Sequence, residues 1–598
     1  MTEKKNEKVL LLDIEADGLR PTIVWVVCCL SLVDGKECSF RNPVNVDALK
    51  SLIDDHDLIV AHNGIHYDFR VLEELLGITI PLEKQRDTLV LSQLLKARRP
   101  EGHSLEAWGT TLGFPKYSFD DFSKYSEEMK EYCANDVRVL KKLYEHLMQV
   151  VNRNPGVFDR AIEIEHHSRY VGRLMNTNGF YFDIDGAQDI YREIEARVQE
   201  LLAKMQEVFP PKVEYIQLKT KVKEIRTEFN PGSPKQVIER MWELGWKPTS
   251  KTKGAINAPK EKRDHYAVYG WKIDEENMST LPEDAPEGAR CLVEYILLNA
   301  RLRTLNEWME NYNATTHRIH GDFNSLGTVT HRMSHSRPNM GNIATKKTIK
   351  YNSPHLRELA IEYGGRMRSL WQAPPGKWLV GTDMDGAHLR IFAHLIDDKD
   401  FTQALLSGDK KLGTDPHSKN KNILGTVCVD RDRSKTFIFS YLNGARAPKV
   451  SQIFGCSLAS AKEALSTFER SYSGLARIKQ TTIPADAERG YFIAVDGRYV
   501  ICDGEHTLMG MYLQNMEATL MKYAMRLGMK MLDEAKINYK VINWVHDEVL
   551  YEIDGTKEDA EKAGAIQAEA IKLVGEEFKL RCPLSGESKI GKDWLSVH

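Results

Sequence analysis

The sequence predicts an α/β domain over residues 1–154 followed by a larger α+β region over 155–598. Strand-like and helical segments alternate through the first 154 residues, as a layered α/β unit requires. The run NRNPG (152–156) then breaks the preceding helix with a proline and a glycine. Beyond it the pattern is mainly helical, until KWLVGTDMD and NWVHDEVLYEI (543–553) bring back strand-like runs.

KVLLLDIEADGL and TIVWVVCCLSLV read as strands, and DVRVLKKLYEHLMQVV reads as an amphipathic helix. After the break, AIEIEHHSRYVGRLMNTNGFYFD opens the helical stretch. In REIEARVQELLAKMQEVF, Ile194, Val198, Leu201, Met205 and Val208 recur at three- and four-residue spacing. LKTKVKEIRTEFNPGSPKQ gathers Lys219, Lys221, Lys223 and Arg226, and its plain reading is a solvated surface loop. No internal repeat or low-complexity tract is visible, so the chain reads as compact throughout.

A length of 598 residues exceeds one hydrophobic core and implies two to four units. Hydrophobic residues at 42% and charged residues at 28% are ordinary for a folded globular protein. A net charge of −3 neither announces nor excludes a polyanion-binding enzyme, which can segregate its charges between groove and back. Nine cysteines, an odd number with no C-x-x-C pair, argue against a zinc knuckle and a disulfide framework and for a reducing compartment. The apolar run Val9–Leu12 ends at Asp13, too short for a signal peptide or a membrane span. A soluble, intracellular protein with no membrane association is expected.

In LLDIEADG, Asp13 and Glu15 stand two apart on a strand and leave the same face. A lone D-x-E is usually only a strand end. Two further stretches add to it: AHNGIHYDFRVLEELL places Asp68 at a helix start, and EYCANDVRVL places Asp136 one turn after Tyr132. Four converging carboxylates repel unless cations intervene, and two Mg²⁺ ions about 4 Å apart suit that need, activating a water against a phosphodiester. Tyr132, on the face of Asp136, would orient that water. The order D-x-E, N-x-x-x-x-D, Y-x-x-x-D resembles the DEDD-type 3′→5′ exonucleases of the tyrosine subclass, and DTLVLSQLL and HSLEAWGTTLGF extend the resemblance.

In the back half, Asp383 ends the strand of KWLVGTDMDGAHL, and Asp547 interrupts the strand of NWVHDEVLYEI. Two strand-borne carboxylates again suit a divalent-metal pair, with a substrate triphosphate and the backbone oxygen of Met384 as further ligands. Between them, Arg431, Lys435, Phe439 and Asn443 recur every four residues, a stripe about 18 Å long on one helix face. R-x-x-x-K-x-x-x-F between two such Asp motifs resembles family A, the DNA polymerase I-like polymerases, and most of all the replicative enzymes of T-seven-type phages. GTVTHRMSHSRPNMGNIAT, FNPGSPKQVIERMWELGW, WVHDEV and KIGKDWLSVH carry the likeness across almost the whole chain.

The resemblance implies an α/β ribonuclease H-like exonuclease domain (1–154) followed by an α+β right-hand polymerase domain (155–598). Within the latter, the thumb is expected at about 185–318, the palm at about 319–400 and 490–598, and the fingers at about 401–489. It implies DNA-dependent DNA synthesis from dNTPs with intrinsic proofreading, probing the catalytic roles of Asp383, Asp547 and Lys435 in one centre and of Asp13, Glu15, Asp68, Tyr132 and Asp136 in the other. Arg431 and His417 would contact the triphosphate, with Lys435 placed to protonate pyrophosphate. Arg332, Gln514, Asn339 and Asn342 would grip the primer-template, and His546 would approach the primer terminus; Glu548 is secondary. Two Mg²⁺ ions are implied at each centre, held by Asp383, Met384 and Asp547 in one and by Asp13, Glu15, Asp68 and Asp136 in the other, with Mn²⁺ as a substitute. The implied setting is a monomer in a host cytoplasm, with primer-template DNA, a helicase-primase and a single-strand binding protein as partners. Competing readings are a degradative nuclease with a DNA-binding scaffold domain, which needs none of Asp383, Arg431, Lys435 and Asp547, and a non-catalytic replication scaffold, which does not need the complete exonuclease set.

Four departures stand out. His388 replaces the family's Glu five residues after the first palm Asp, so sugar discrimination is expected to use another contact. Phe439 stands where the phage relatives carry Tyr, which predicts poor use of dideoxynucleotides. Asn443 replaces a Tyr and Gly510 an Asn near the templating base, leaving looser fidelity or substitution by Tyr441 as alternatives. Only about twenty residues separate Phe209 from Phe229, where relatives that recruit thioredoxin carry a much longer loop, so thioredoxin is not expected as a partner.

Overall fold

The computed structural model describes residues 7–217, 221–246, 248–278, 284, 286–341, 343, 354–502 and 504–598. The chain divides into two units, each assembled from more than one stretch. The first comprises Met1–Asn178, Gly321–Ser336 and Val380–Ile590; the second comprises Gly179–His320, Arg337–Leu379 and Gly591–His598.

The first unit begins with a five-stranded sheet of β1 (Val9–Ala16), β2 (Val24–Ser31), β3 (Glu37–Arg41), β4 (Leu58–Ala61) and β5 (Gln85–Asp87), in the order β3-β2-β1-β4-β5. β1 runs antiparallel to β2 and parallel to β4. Both faces of β1 are covered, which is why its sequence is nearly continuous in apolar residues. Leu10, Leu12 and Ile14 pack with Phe69 and Leu72 of α1 (Asp68–Leu76), while Val9 and Leu11 pack with Val137 and Leu140 of α2 (Glu127–Arg153). Ser126 caps α2 by accepting from the Met129 amide, and Glu127 and Glu128 in the first turn suit the helix dipole.

The same unit holds a four-stranded sheet of β6 (Trp378–Met384), β7 (Tyr539–Val545), β8 (Glu548–Ile553) and β9 (Gly586–Gly591), ordered β7-β8-β6-β9. β7 and β8 form an antiparallel hairpin with Val545 opposite Glu548, so His546 and Asp547 make its two-residue tip. Gly386, at φ 60, supplies the left-handed residue that turns β6 into α4 (Ala387–Ile396). α5 (Pro416–Leu424), α6 (Arg431–Leu442) and the 30-residue α7 (Glu505–Glu534) complete the surroundings of this sheet.

A buried ionic network fixes one loop to α7. Lys522 pairs with Glu165 and donates to the carbonyls of Ser325 and His331, both at 2.9 Å. Arg498, fully buried, pairs with Glu165 and Asp496. Every charge in this group has a partner, as burial demands.

In the second unit, α3 (Ile184–Val208) packs on the helix Glu287–Glu310. Ile194, Val198, Leu201 and Met205 are buried as their spacing predicts, while Val208, at the helix end, is 36% exposed. The lysine-rich stretch differs from expectation: instead of a loop it is an antiparallel hairpin, Lys212–Gln217 with Val222–Thr227. Val213, Tyr215, Ile216, Val222 and Ile225 favour strand geometry despite the intervening charges. The Phe209 and Phe229 rings, 4.7 Å apart, close its base. Lys221, Lys223 and Arg226 are exposed, as anticipated, and Lys219 lies outside the described residues.

Candidate active sites

The first site is built where β1 meets α1 and α2. Alternation along β1 sends Asp13 and Glu15 to the face that α2 covers. Asp68 heads α1, and Tyr132 and Asp136 lie one turn apart on α2. Burial, followed by repulsion from Asp136, raises the carboxyl of Asp13; burial, followed by repulsion from Asp13, raises those of Glu15 and Asp68. Asp68 Oδ1 and Asp136 Oδ1 are buried with no hydrogen-bond partner among the described residues. Ligand atoms of Asp13, Glu15 and Cys133 lie within 4.8 Å of one another. Hard oxygen donors held together against their own repulsion, two with open valences, fit a divalent cation.

Sequence reasoning missed Lys116 at this site. Its Nζ is 2.5 Å from Asp136 Oδ2 and 5.0 Å from the centre of the Tyr132 ring. Burial raises Asp136 and the Lys116 charge pulls it back, leaving its pKa at about 6. Nothing in the motif spacing points to Lys116, since its partners are brought to it by the fold.

The second site lies at the four-stranded sheet. Asp383 is the penultimate residue of β6 and Asp547 sits in the β7–β8 tip, and the Met384 amide donates to the Asp547 carbonyl at 3.2 Å. The Met384 side chain is buried, so only its backbone reaches the site. Burial, then the charges of Glu517 and Asp383, push Asp547 up to about 7. Asp383 is exposed, yet the desolvation imposed by its surroundings, then the charges of Glu587 and Glu548, raise its carboxyl. This donor set again fits a hard divalent cation. His546 takes a left-handed conformation at φ 58, which turns the tip and presents Asp547 toward β6.

On α6, Arg431 is half-buried and Lys435 and Phe439 are exposed, with Asn443 exposed at the C-cap, while Ser434, Phe437, Ile438, Tyr441 and Leu442 are buried. The predicted stripe is therefore one open helix face. Asp415 fixes Arg431 through contacts of 3.0–3.2 Å. Burial would raise Asp415, but its bonds with Arg431 and Ser418 hold it at about 2. His417 is buried, its ring centre 6.1 Å from that of Phe439, and Nδ1 has no partner among the described residues. Burial and the Arg431 charge push His417 down to about 4, so it is neutral near pH 7.

Arg332 is drawn into a cluster that the sequence did not reveal. Glu517 Oε1 accepts from Arg332 Nε at 2.9 Å and Nη2 at 2.6 Å, and Glu517 Oε2 lies 2.9 Å from His388 Nε2. Gln514, half-buried, is one turn before Glu517 on α7. Asn339 belongs to the second unit, where it is exposed and accepts from the Gly341 amide; Asn342 lies outside the described residues. Gly510 and Asn443 are neighbours: a Cβ at 510 would come within 3.3 Å of the Leu442 carbonyl and 3.9 Å of Asn443 Cα. Tyr441 is buried among Phe437 and Phe468 and donates to Glu469 at 3.0 Å, so it is committed to the core rather than free to stand in for a residue at 443.

Residues 199–596 match DNA polymerase family A. The chain belongs to that family. Residues 10–148 of this family A polymerase match the RNase_H superfamily. Two similar relatives are DNA-directed DNA polymerases of Enterobacteria phage T3 and Escherichia phage T7, each 26% identical over 99% of this chain and 100% of theirs. The polymerase domain of Pol1 from M. smegmatis, solved with DNA primer-template and dNTP, shares the fold at a TM-score of 0.76 and 18% identity, covering 99% of this chain and 96% of that one. The family A polymerase thus carries the expected RNase H-like domain before a polymerase domain, and both kinds of domain are typically divalent-metal dependent. None of its described helices is long and apolar enough to cross a membrane.

Proposed function

We propose that this family A polymerase extends a primer 3′ end with dNTPs on a DNA template and removes misinserted 3′ nucleotides at a separate centre in the same chain. The observation carrying this reading is Asp383 on β6 and Asp547 at the tip of the adjoining β7–β8 hairpin, in a unit that also opens the Arg431–Lys435–Phe439 face of α6. We assign residues 1–154 to the nuclease, about 185–318 to the thumb, about 319–400 and 490–598 to the palm, and about 401–489 to the fingers. Asp383, Asp547 and the Met384 carbonyl would hold two Mg²⁺ ions, and Asp13, Glu15, Asp68 and Asp136 two more, with Mn²⁺ as a substitute. Bound there, such ions lower the pKa of an attacking hydroxyl or water and offset charge on the phosphoryl group.

The chain's own residues do the rest. Arg431, fixed by Asp415, presents a permanent cation to the triphosphate, and neutral His417 donates an N–H without adding charge. Lys435 supplies a proton to the departing pyrophosphate, and Phe439 offers a ring face beside the sugar and base. Arg332 and Gln514 reach the primer-template from the palm, with His546 at the primer terminus and Asn339 and Asn342 as further contacts. In the nuclease centre Tyr132 orients the attacking water. The chain works as a monomer in a host cytoplasm, with a helicase-primase and a single-strand binding protein as replisome partners.

Primer extension with Mg²⁺ and four dNTPs tests the reading. Asp547→Ala is expected to abolish synthesis and spare trimming, and Asp13→Ala to do the reverse. Trimming without synthesis by the unaltered chain would favour the degradative nuclease instead.

A further inference from the structure

We propose that Glu517 is a positioning residue that holds the Arg332 guanidinium off Asp547, leaving Asp547 open to a divalent ion and Arg332 available to the primer terminus. This rests on the polymerase reading above. The loop bearing Arg332 is pinned through its backbone: Asn515 donates to the Thr330 carbonyl at 3.2 Å, and Lys522 donates to those of Ser325 and His331. With the main chain fixed, only side-chain torsions are left to Arg332, and Glu517 removes them with a two-point grip on one oxygen.

His388 completes the lock. Its Nε2 is 2.9 Å from Glu517 Oε2 and 3.1 Å from Arg332 Nη2. One ring nitrogen cannot donate and accept at once, and the full charge of the carboxylate makes it the partner, with Nε2 as donor. Both carboxylate oxygens are then occupied, so Glu517 has one orientation. Among the described residues Arg332 has no other acidic ion-pair partner. Yet its charge acts on Asp547, as does that of Glu517 with opposite sign. Remove Glu517, and the half-buried guanidinium loses its acidic partner and is drawn toward the carboxylate that the proposed ion would bind. It then competes with the ion for the same oxygens.

The test uses the full chain in an Asp13→Ala/Glu15→Ala background, which removes two acids of the nuclease centre. Mn²⁺ occupancy is read by EPR, and primer-template affinity by fluorescence anisotropy in EDTA. Glu517→Ala is expected to weaken both by about tenfold or more, corresponding to about 1.4 kcal/mol or more. Glu517→Ala/His388→Glu returns a carboxylate to the same guanidinium from α4 and is expected to recover both to within about threefold. Glu517→Gln keeps the shape and one acceptor oxygen and is expected to fall between. Trimming of single-stranded DNA by each variant with Asp13 and Glu15 intact reports folding; where Glu517→Ala loses it, Glu517→Gln carries the comparison. Wild-type binding of Mn²⁺ and DNA by a folded Glu517 variant, or no recovery in the relocated variant, overturns the proposal. Failure of the unaltered chain to extend primers would instead overturn the polymerase reading.

Discussion

The placement of Asp547, proposed above as a metal ligand, works against stability, and the two roles can be separated. In the absence of metal its carboxyl is moved from 3.8 to about 7 by burial and by Glu517 and Asp383. A raised folded-state value means that the folded chain binds the proton more tightly than the unfolded chain. Stability from this group is therefore complete below pH 3.8, falls as pH rises, and levels off above about pH 7. A rise of that size corresponds to on the order of 4 kcal/mol at pH 8 and less than half of that at pH 5. Asp547→Asn has the same shape and no charge, so in EDTA it should raise the thermal midpoint by several degrees at pH 8 and by clearly less at pH 5. It should also lose primer extension. Scanning fluorimetry of both proteins in EDTA at the two pH values checks this, with an Mg²⁺ and dNTP addition that should stabilise the unaltered chain more than the variant. An Asn variant no more stable than wild type at pH 8, or a gain that does not grow with pH, would refute the reasoning.

Lys116→Met should cut excision of single-stranded DNA by at least about tenfold while leaving extension unchanged, since it removes the one cation paired with Asp136 among the described residues; gel-resolved trimming checks it. Phe439→Tyr should improve dideoxynucleotide incorporation, because a phenol hydroxyl can stand in for the absent 3′-OH; equal chain termination by both proteins would count against it. His388→Glu sets a second carboxylate beside Glu517, and should change the ratio of ribonucleotide to deoxyribonucleotide insertion, measured from competing single-nucleotide extensions. Adding thioredoxin should not lengthen the products of processive synthesis, because a compact hairpin fills the interval between Phe209 and Phe229.

What the sequence revealed depended on whether a pattern was local. Asp13 and Glu15 were legible because a strand's two-residue period puts them on one face, and the α6 stripe because a four-residue period leaves one helix face. Asp383 and Asp547 were legible through their short apolar strands. The 212–227 hairpin was not, because lysines alternate with its β-branched residues and dilute the strand signal. Tyr441 could not be decided either: its commitment to Glu469 comes from a helix 28 positions on.

The cluster at Glu517 shows the same limit in its sharpest form. Glu517 lies mid-helix among apolar and small residues, and its reason for being there is 185 positions away in Arg332. His388 alone reads as a position without a carboxylate beside Asp383. With Glu517 in view, a carboxylate stands on α7, and His388 Nε2 lies 2.9 Å from it. A buried carboxylate without such partners would cost several kcal/mol, so Glu517 is tenable there only with Arg332 and His388 beside it. Partners brought together across a fold in this way leave no periodicity for a sequence to show. They become legible only when the two helices are laid side by side.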